Sequence, residues 1–342
     1  MMKLRWSWKT AGAALATALA LGAGAARAQE DVGGKALIDA ANAEGRLVLY
    51  TSNQIESEQE LVAAFNKRFP RIKVEIVRAP GSRLATRIAS ELAAGQLAAD
   101  VIDMSDRGLV TEIAPAFAPY APPNAGEYPA SVKTIANVWP KSTWGFVLVN
   151  NVAALPKGPA SWADLAKPEY KGKVGVVAAN SGGSTWTTAM FERKVLGEGY
   201  WKTLRANDPL VYPSGSPLAS GLVRGEVLVG AAQSNSVIPM IAQGAPLKVT
   251  YPPEGVPVTA SAAGIASTAK NPNAAKLYLN WSLSKEGQKA WVDGQGGFSM
   301  LPSAGMPKGA SADTKLWVPD PTEYVALRNP WIAEWNTLYN VQ

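Results

Sequence analysis

From residue 46 to residue 104 the chain alternates between strand-period and helix-period segments joined by short connections, and this alternation constrains its fold more than any other feature. Arg46-Leu47-Val48-Leu49-Tyr50 is a short apolar run that opens into the polar Thr51-Ser52-Asn53-Gln54, the pattern of a buried strand ending in a loop. From Glu56 the apolar positions Leu61, Val62, Phe65 and Phe69 share one helical face, and Pro70 ends the run. Residues 73–78 alternate around Val74, Ile76 and Val77 as a second strand. Pro80-Gly81-Ser82 is then a turn, with Ser82 as its candidate helix cap. Leu84, Ile88 and Leu92 carry a helix to about Gly95, and residues 101–104 form a third strand. Strand, helix, strand, helix, strand with short links predicts a parallel α/β sheet.

The N-terminus has a different character. Lys3, Arg5 and Lys9 precede an unbroken small and apolar run over residues 11–25, and Ala26-Arg27-Ala28 has the small-x-small form of a signal-peptidase site. The expectation is export to the periplasm with cleavage after Ala28. The run is too short for a stable bilayer-spanning helix, and no later segment reaches about 18 uninterrupted apolar residues. The chain has 33 Lys and Arg against 27 Asp and Glu. Removing the four cations of the signal leaves 29 against 27, so the calculated basicity gives no argument for nucleic acid or an anionic membrane. Roughly 310 residues remain, enough for two domains with separate cores. With Cys 0, stability rests on packing, and with His 0 a Ser-His-Asp triad, a Cys-His pair and a His-ligated zinc site are all excluded. No cofactor is expected.

Beyond a Pro-, Ala- and Asn-rich stretch at 114–140, read as irregular surface structure, residues 144–150 form a strand of crossover type. A second α/β unit follows, with strands at 175–179, 209–212 and 228–232, a short helix at 218–224 and another helix starting near Trp186. A turn at 252–255 leads to a strand at 262–265, and residues 273–283 and 286–291 are helical.

In open parallel sheets the ligand crevice lies beyond the carboxyl ends of the strands. Five loops end there: Thr51 to Gln54, Gly81-Ser82-Arg83, Ser105-Asp106, residues 180–185, and Gln233-Ser234-Asn235. All are rich in hydroxyls and amides, and several open helices, where free N–H groups and the positive dipole end favour an anion. Ser181-Gly182-Gly183-Ser184-Thr185 is the best candidate cradle, although the same residues also suit a flexible surface turn. Facing polar rims on two α/β lobes suggest a cleft that closes by hinge motion.

The chain resembles the periplasmic solute-binding proteins of ABC importers, in the branch that includes ferric-iron-binding proteins. The resemblance rests on Leu47-Val48-Leu49-Tyr50-Thr51-Ser52, Ala99-Asp100-Val101-Ile102, Trp144-Gly145-Phe146-Val147-Leu148-Val149-Asn150 and Pro159-Ala160-Ser161-Trp162-Ala163-Asp164-Leu165. Lys171-Gly172-Lys173-Val174, Gly225-Glu226-Val227 and Ser282-Leu283-Ser284-Lys285-Glu286-Gly287-Gln288 complete the set in order. It implies an α/β, two-lobe, type II periplasmic binding protein fold with hinge crossover strands near 145–150 and 258–266. Lobe 1 would comprise residues 29–145 and 262–305, and lobe 2 residues 146–261 and 306–342.

The resemblance also exposes a departure. Iron-binding members use a His, an acidic residue and an adjacent Tyr pair, and the matching positions here are Gln54, Ser105 and Asn235-Ser236. Hard Fe(III) needs anionic oxygen donors, so neutral amides and hydroxyls make a poor ferric site, and no metal is expected. The anion-holding turn of the family matches Ser181-Gly182-Gly183. The expectation is a non-enzymatic receptor for a small organic anion bearing phosphate, phosphonate or carboxylate, held at Ser181, Gly182, Gly183, Ser184 and Thr185. The rest of the solute would lie against Thr51, Ser52, Gln54, Gly81, Ser82 and Ser105, with Gln233 and Asn235 closing over it. Asp106 and Glu254 are read either as contacts for an ammonium or sugar hydroxyl or as surface charges. Trp144 and Trp186 are read either as an apolar wall or as core, and Arg83 either as an anion partner or as solvent-exposed. An ABC permease is the implied partner and a monomer the implied state. Two other readings are carried: ferric transport through different ligands, and a carboxylate-based hydrolase using Asp103 and Asp106.

Overall fold

The computed structural model describes residues 31–341 apart from Thr134, so the export signal and its cleavage after Ala28 lie outside the described residues. The first unit comprises α1 (Gly34–Glu44), β1 (Arg46–Thr51), α2 (Ile55–Arg68), β2 (Lys73–Arg78), α3 (Gly81–Ala93), β3 (Val101–Met104) and α4 (Arg107–Glu112). Three single-turn 3-10 segments lead to the long β4 (Trp139–Asn151). The second unit holds β5 (Val174–Val177), α5 (Gly183–Val195), α6 (Tyr200–Arg205), β6 (Leu210–Tyr212), α7 (Gly215–Arg224), β7 (Val229–Gln233), α8 (Ser234–Ala242) and β8 (Leu247–Thr250). The chain then returns through β9 (Val256–Ile265), α9 (Pro272–Leu283) and α10 (Lys285–Gln295). It ends with β10 (Leu316–Trp317), α11 (Pro321–Ala326) and α12 (Arg328–Tyr339).

The strands run in the order β2-β1-β3-β9-β4-β7-β5-β6, with β10 beside β9 and β8 beside β4. Within each half the pairs are parallel: β1 with β2 and β3, and β5 with β6 and β7. The two halves meet through β4 and β9, which are antiparallel to each other and to the strands they join. This is the two-lobe type II arrangement with two crossover strands.

Strand periodicity explains why β1 is buried along almost its whole length. Leu47 and Leu49 point to the side of Phe65, Tyr278 and Trp281, while Val48 and Tyr50 point to the side of Leu84 and Ile88. β4 repeats the device, sending Val147 and Val149 to one cluster and Phe146 and Leu148 to another. α2 buries Leu61, Val62 and Phe65, carries Glu56 and Glu58 in its first turn and Lys67 and Arg68 in its last, and so matches its own dipole.

Several boundaries differ from the sequence reading. α3 begins at Gly81 behind Pro80, so Ser82 is a first-turn residue and not a cap. α5 begins at Gly183, three residues earlier than expected, and β9 begins at Val256, six residues earlier. The 114–140 stretch is not merely surface: Phe117 bridges to Ala266, and buried Tyr128 donates to the Leu283 carbonyl at 2.7 Å.

Candidate functional site

The carboxyl ends of β1, β2 and β3 face those of β5, β6 and β7 across a cleft of ≈ 750 Å³ that opens to solvent. Lobe 1 contributes Ser52, Asn53, Gln54, Ser57, Arg78 and Ser105. Lobe 2 contributes residues 181–185, Ser214, Gly215, Ser216, Gln233 and Asn235, and Trp144 and Trp291 complete the wall. Among these lining residues Arg78 alone is charged, and no carboxylate faces the cleft. Arg78 Nε donates to the Asn53 carbonyl at 3.3 Å, which holds the guanidinium over the end of β1.

The first turn of α5 opens onto the cleft, so the N–H groups of Gly183, Ser184 and Thr185 have no acceptor within the helix. Thr185 Oγ1 accepts from the Gly182 N–H at 3.1 Å and donates to the Gly182 carbonyl at 2.9 Å, fixing the turn. Gly182 is extended, which any residue adopts, but Gly183 is required by contact. A Cβ there would lie 2.8 Å from the Ser105 carbonyl oxygen of the facing lobe. Ser184 Oγ accepts from Gln233 Nε2 at 2.9 Å, which leaves its O–H available as a donor. Ser181 Oγ instead gives its proton to the Pro213 carbonyl at 2.6 Å.

The lobes touch directly. Gln54 Nε2 donates to Gln233 Oε1 at 3.1 Å and to Ser236 Oγ at 3.0 Å, and Asn235 Nδ2 donates to Ser57 Oγ at 3.5 Å. Arg328 of α12 reaches Asp106 at 2.9 Å.

Of the residues singled out in the sequence, the structure gathers Ser52, Gln54, Ser105, Trp144, Ser181, Gly182, Gly183, Ser184, Thr185, Gln233 and Asn235 around the cleft. Five lie elsewhere. Thr51 is fully buried and turns its hydroxyl toward Glu58 and the Asn53 N–H. Gly81 packs toward Leu109 and Ser82 is exposed on α3. Asp106 caps α4 through the N–H groups of Gly108 and Leu109 and pairs with Arg328. Glu254 lies in the turn before β9, with one carboxylate oxygen buried. Arg83 is exposed, and Trp186 is core, its indole N–H donating to the Tyr324 carbonyl. Asn53 lies in a loop expected at the crevice but is not among the residues singled out, and the residues missed are Ser57, Arg78, Ser214, Gly215, Ser216 and Trp291. Ser214-Gly215-Ser216 carried the same signal as the other loops, a hydroxyl-rich turn after a strand and before a helix.

Behind the Ser52 to Gln54 loop lies a fully buried ionic cluster. Lys141 Nζ is 2.7 Å from Glu58 Oε2 and 2.8 Å from Asp103 Oδ2, with all three side chains shielded from solvent. Lys141 sits where the β4 register against β9 shifts between Pro140 and Thr143, and the irregularity lets a crossover strand aim a lysine inward. Burial pushes the Glu58 carboxyl up, but the charge and hydrogen bond of Lys141 outweigh it and leave Glu58 below its usual range. Burial raises Asp103 to about 6 against the pull of Lys141, with Glu58 adding to the rise. Neither Asp103 nor Asp106 lines the cleft, so the acid pair required by a hydrolase is not assembled there. Among the described residues no cluster of three or more His, Cys, Asp or Glu forms a metal site.

A cleft between two α/β lobes joined by two crossover strands defines a solute-binding protein. Residues 51–289 match the family described as bacterial extracellular solute-binding protein, and the chain belongs to that family. An uncharacterized protein of Haemophilus influenzae is 27% identical over 286 residues, covering 76% of this chain and 80% of that relative. The spermidine/putrescine-binding periplasmic protein 1 of the same organism is 29% identical over 136 residues, only 37% of either chain. The solved periplasmic binding protein AfuA from Actinobacillus pleuropneumoniae, with exogenous fructose-6-phosphate bound, superposes with a TM-score of 0.71 at 24% identity. That match covers 87% of this chain and 99% of AfuA.

Proposed function

We propose that the protein is a periplasmic receptor that captures a small organic anion in the interlobe cleft and presents it to an ABC permease of the inner membrane. The observation that carries this reading is the charge balance of the cleft: Arg78 is the one charged lining residue, and the N-terminus of α5 opens beside hydroxyl and amide donors. A phosphate, phosphonate or carboxylate would sit at residues 182–184 with Arg78 as its countercharge. We take lobe 1 as residues 29–145 with 262–305 and lobe 2 as 146–261 with 306–342, the hinge running through β4 and β9, and the working unit as a monomer.

The same balance argues against a polyamine, although one relative is named for spermidine and putrescine, because a cationic solute would meet no lining carboxylate. It argues against ferric iron as cargo too, since every donor at Gln54, Ser105, Asn235 and Ser236 is neutral. The sugar phosphate bound in AfuA belongs to the class this cleft would suit.

Isothermal titration of refolded, ligand-stripped protein with an organic phosphate tests the reading. Arg78→Gln removes a charge-assisted contact and should weaken binding by about 2 kcal/mol without lowering the melting temperature. Equal affinity in the variant would move the anion away from Arg78.

A further inference from the structure

We infer that the solute carries hydroxyl groups beside its anion and that Asn53 is the side chain that selects for them; this rests on the anion-receptor reading and narrows it. Asn53 is 8% exposed and lines the cleft on the lobe 1 side. Its Nδ2 donates to Glu58 Oε1 at 2.8 Å and to Asp103 Oδ2 at 2.9 Å. Rotating the amide would set its oxygen against two carboxylate oxygens, so the chemistry of the pair fixes which way Asn53 faces. Lys141, bonded to both carboxylates, locks them in turn.

The consequence is that Asn53 Oδ1 is committed as an acceptor and has no partner within the protein. Asn235 Oδ1, on the lobe 2 wall and 7% exposed, also has no partner while its Nδ2 donates to Ser57 Oγ at 3.5 Å, and the indole N–H of Trp144 is likewise unpartnered. The residues lining the cleft thus carry two shielded acceptors and one shielded donor without a protein partner, in addition to the proposed anion-holding turn. Acceptors repel the oxygens of an anion and must be met by O–H or N–H groups. An ammonium would bring a positive charge to a wall with no carboxylate of its own and with Arg78 already present. Neutral hydroxyls match the wall without that conflict. A site built to hydrogen-bond a hydroxyl discriminates strongly against an analogue that lacks it, because its own polar groups are then left unpaired.

The test uses three six-carbon phosphates titrated by calorimetry into the ligand-stripped protein: glucitol 6-phosphate, hexyl phosphate and 6-aminohexyl phosphate. Wild type should bind glucitol 6-phosphate at least about tenfold more tightly than hexyl phosphate. Asn53→Ala should bring that ratio toward one, whatever its effect on the affinity for hexyl phosphate. Asn53→Ser serves in its place if the alanine variant loses its cooperative melt. Equal binding of the glucitol and hexyl compounds by wild type, or an undiminished ratio in the variant, would overturn the inference and leave the anion reading standing. Tighter binding of the aminohexyl compound would replace hydroxyl with ammonium. Silence from all three phosphates would overturn the phosphate form of the anion reading, and this inference with it.

Discussion

Glu192 carries a carboxyl group with a measurable consequence for stability. It lies within α5 and is buried, and burial pushes its carboxyl up to about 8. A carboxyl whose folded pKa lies above its unfolded value favours the fold when protonated, so its contribution is fully present below about pH 4.5 and is lost as pH rises through about 8. Glu192→Gln should therefore melt higher than wild type at pH 8 and flatten the pH dependence of stability between pH 5 and 8. Each tenfold change in an ionisation constant on folding is worth about 1.4 kcal/mol, so denaturant titration at the two pH values resolves the difference. Parallel pH profiles would place the ionisation elsewhere. Side chains of this kind are not legible in the sequence, because nothing in Phe191-Glu192-Arg193 says which face of the helix turns inward. The hydroxyl and amide loops are legible, since a polar run after an apolar strand has few other uses. Arg78 is not, because a cation closing an alternating strand reads as plain surface charge.

At the scale of elements, α5 opens its N-terminus onto the cleft and also touches the facing lobe. Gly183→Ala should help the helix by its intrinsic preference, about 1 kcal/mol at most. It would also set a methyl against the Ser105 carbonyl at 2.8 Å and the Tyr324 hydroxyl at 3.1 Å. The expected outcome is solute affinity lower by at least about tenfold, because the Ser105 contact belongs to the closed form, with a melting temperature little changed, because the Tyr324 hydroxyl of the same lobe need yield by only a few tenths of an ångström. Unchanged affinity would mean the lobes close further apart than the structure shows. Periodicity makes most of the strand and helix cores readable, and it fails where a proline or an inward charge breaks the pattern. α8 does not read as a helix because Pro239 interrupts it, yet the helix runs through that position. The start of β4 escapes the pattern because Trp139-Pro140-Lys141-Ser142 looks nothing like a buried strand until Glu58 and Asp103 are in place beside Lys141.

In the molecule as a whole, two α/β lobes meet across hydrogen bonds from Gln54 and Asn235 and across the Asp106–Arg328 pair. If the cleft closes on its solute, that pair would act as a latch on closure. Asp106→Asn keeps the α4 cap, since Asn caps as well as Asp, and removes the charge. Solute affinity should fall about three- to tenfold and lose part of its salt dependence, while the melting temperature of the solute-free protein stays near its original value. An unaltered affinity would show that the lobes close without the latch. The two-lobe plan is legible because alternation of strand and helix leaves few topologies open. The closed contacts are not, since they join residues more than 170 positions apart. The central claim is that this cleft holds an organic anion, and a thermal-shift panel of phosphate, phosphonates, sugar phosphates, carboxylates, polyamines and ferric citrate tests it most directly. A ligand at about 100 times its Kd adds near 2.7 kcal/mol, a readily visible rise in midpoint. A rise confined to an organic anion class is the result the charge balance predicts, and a rise with polyamines or ferric citrate alone would contradict it.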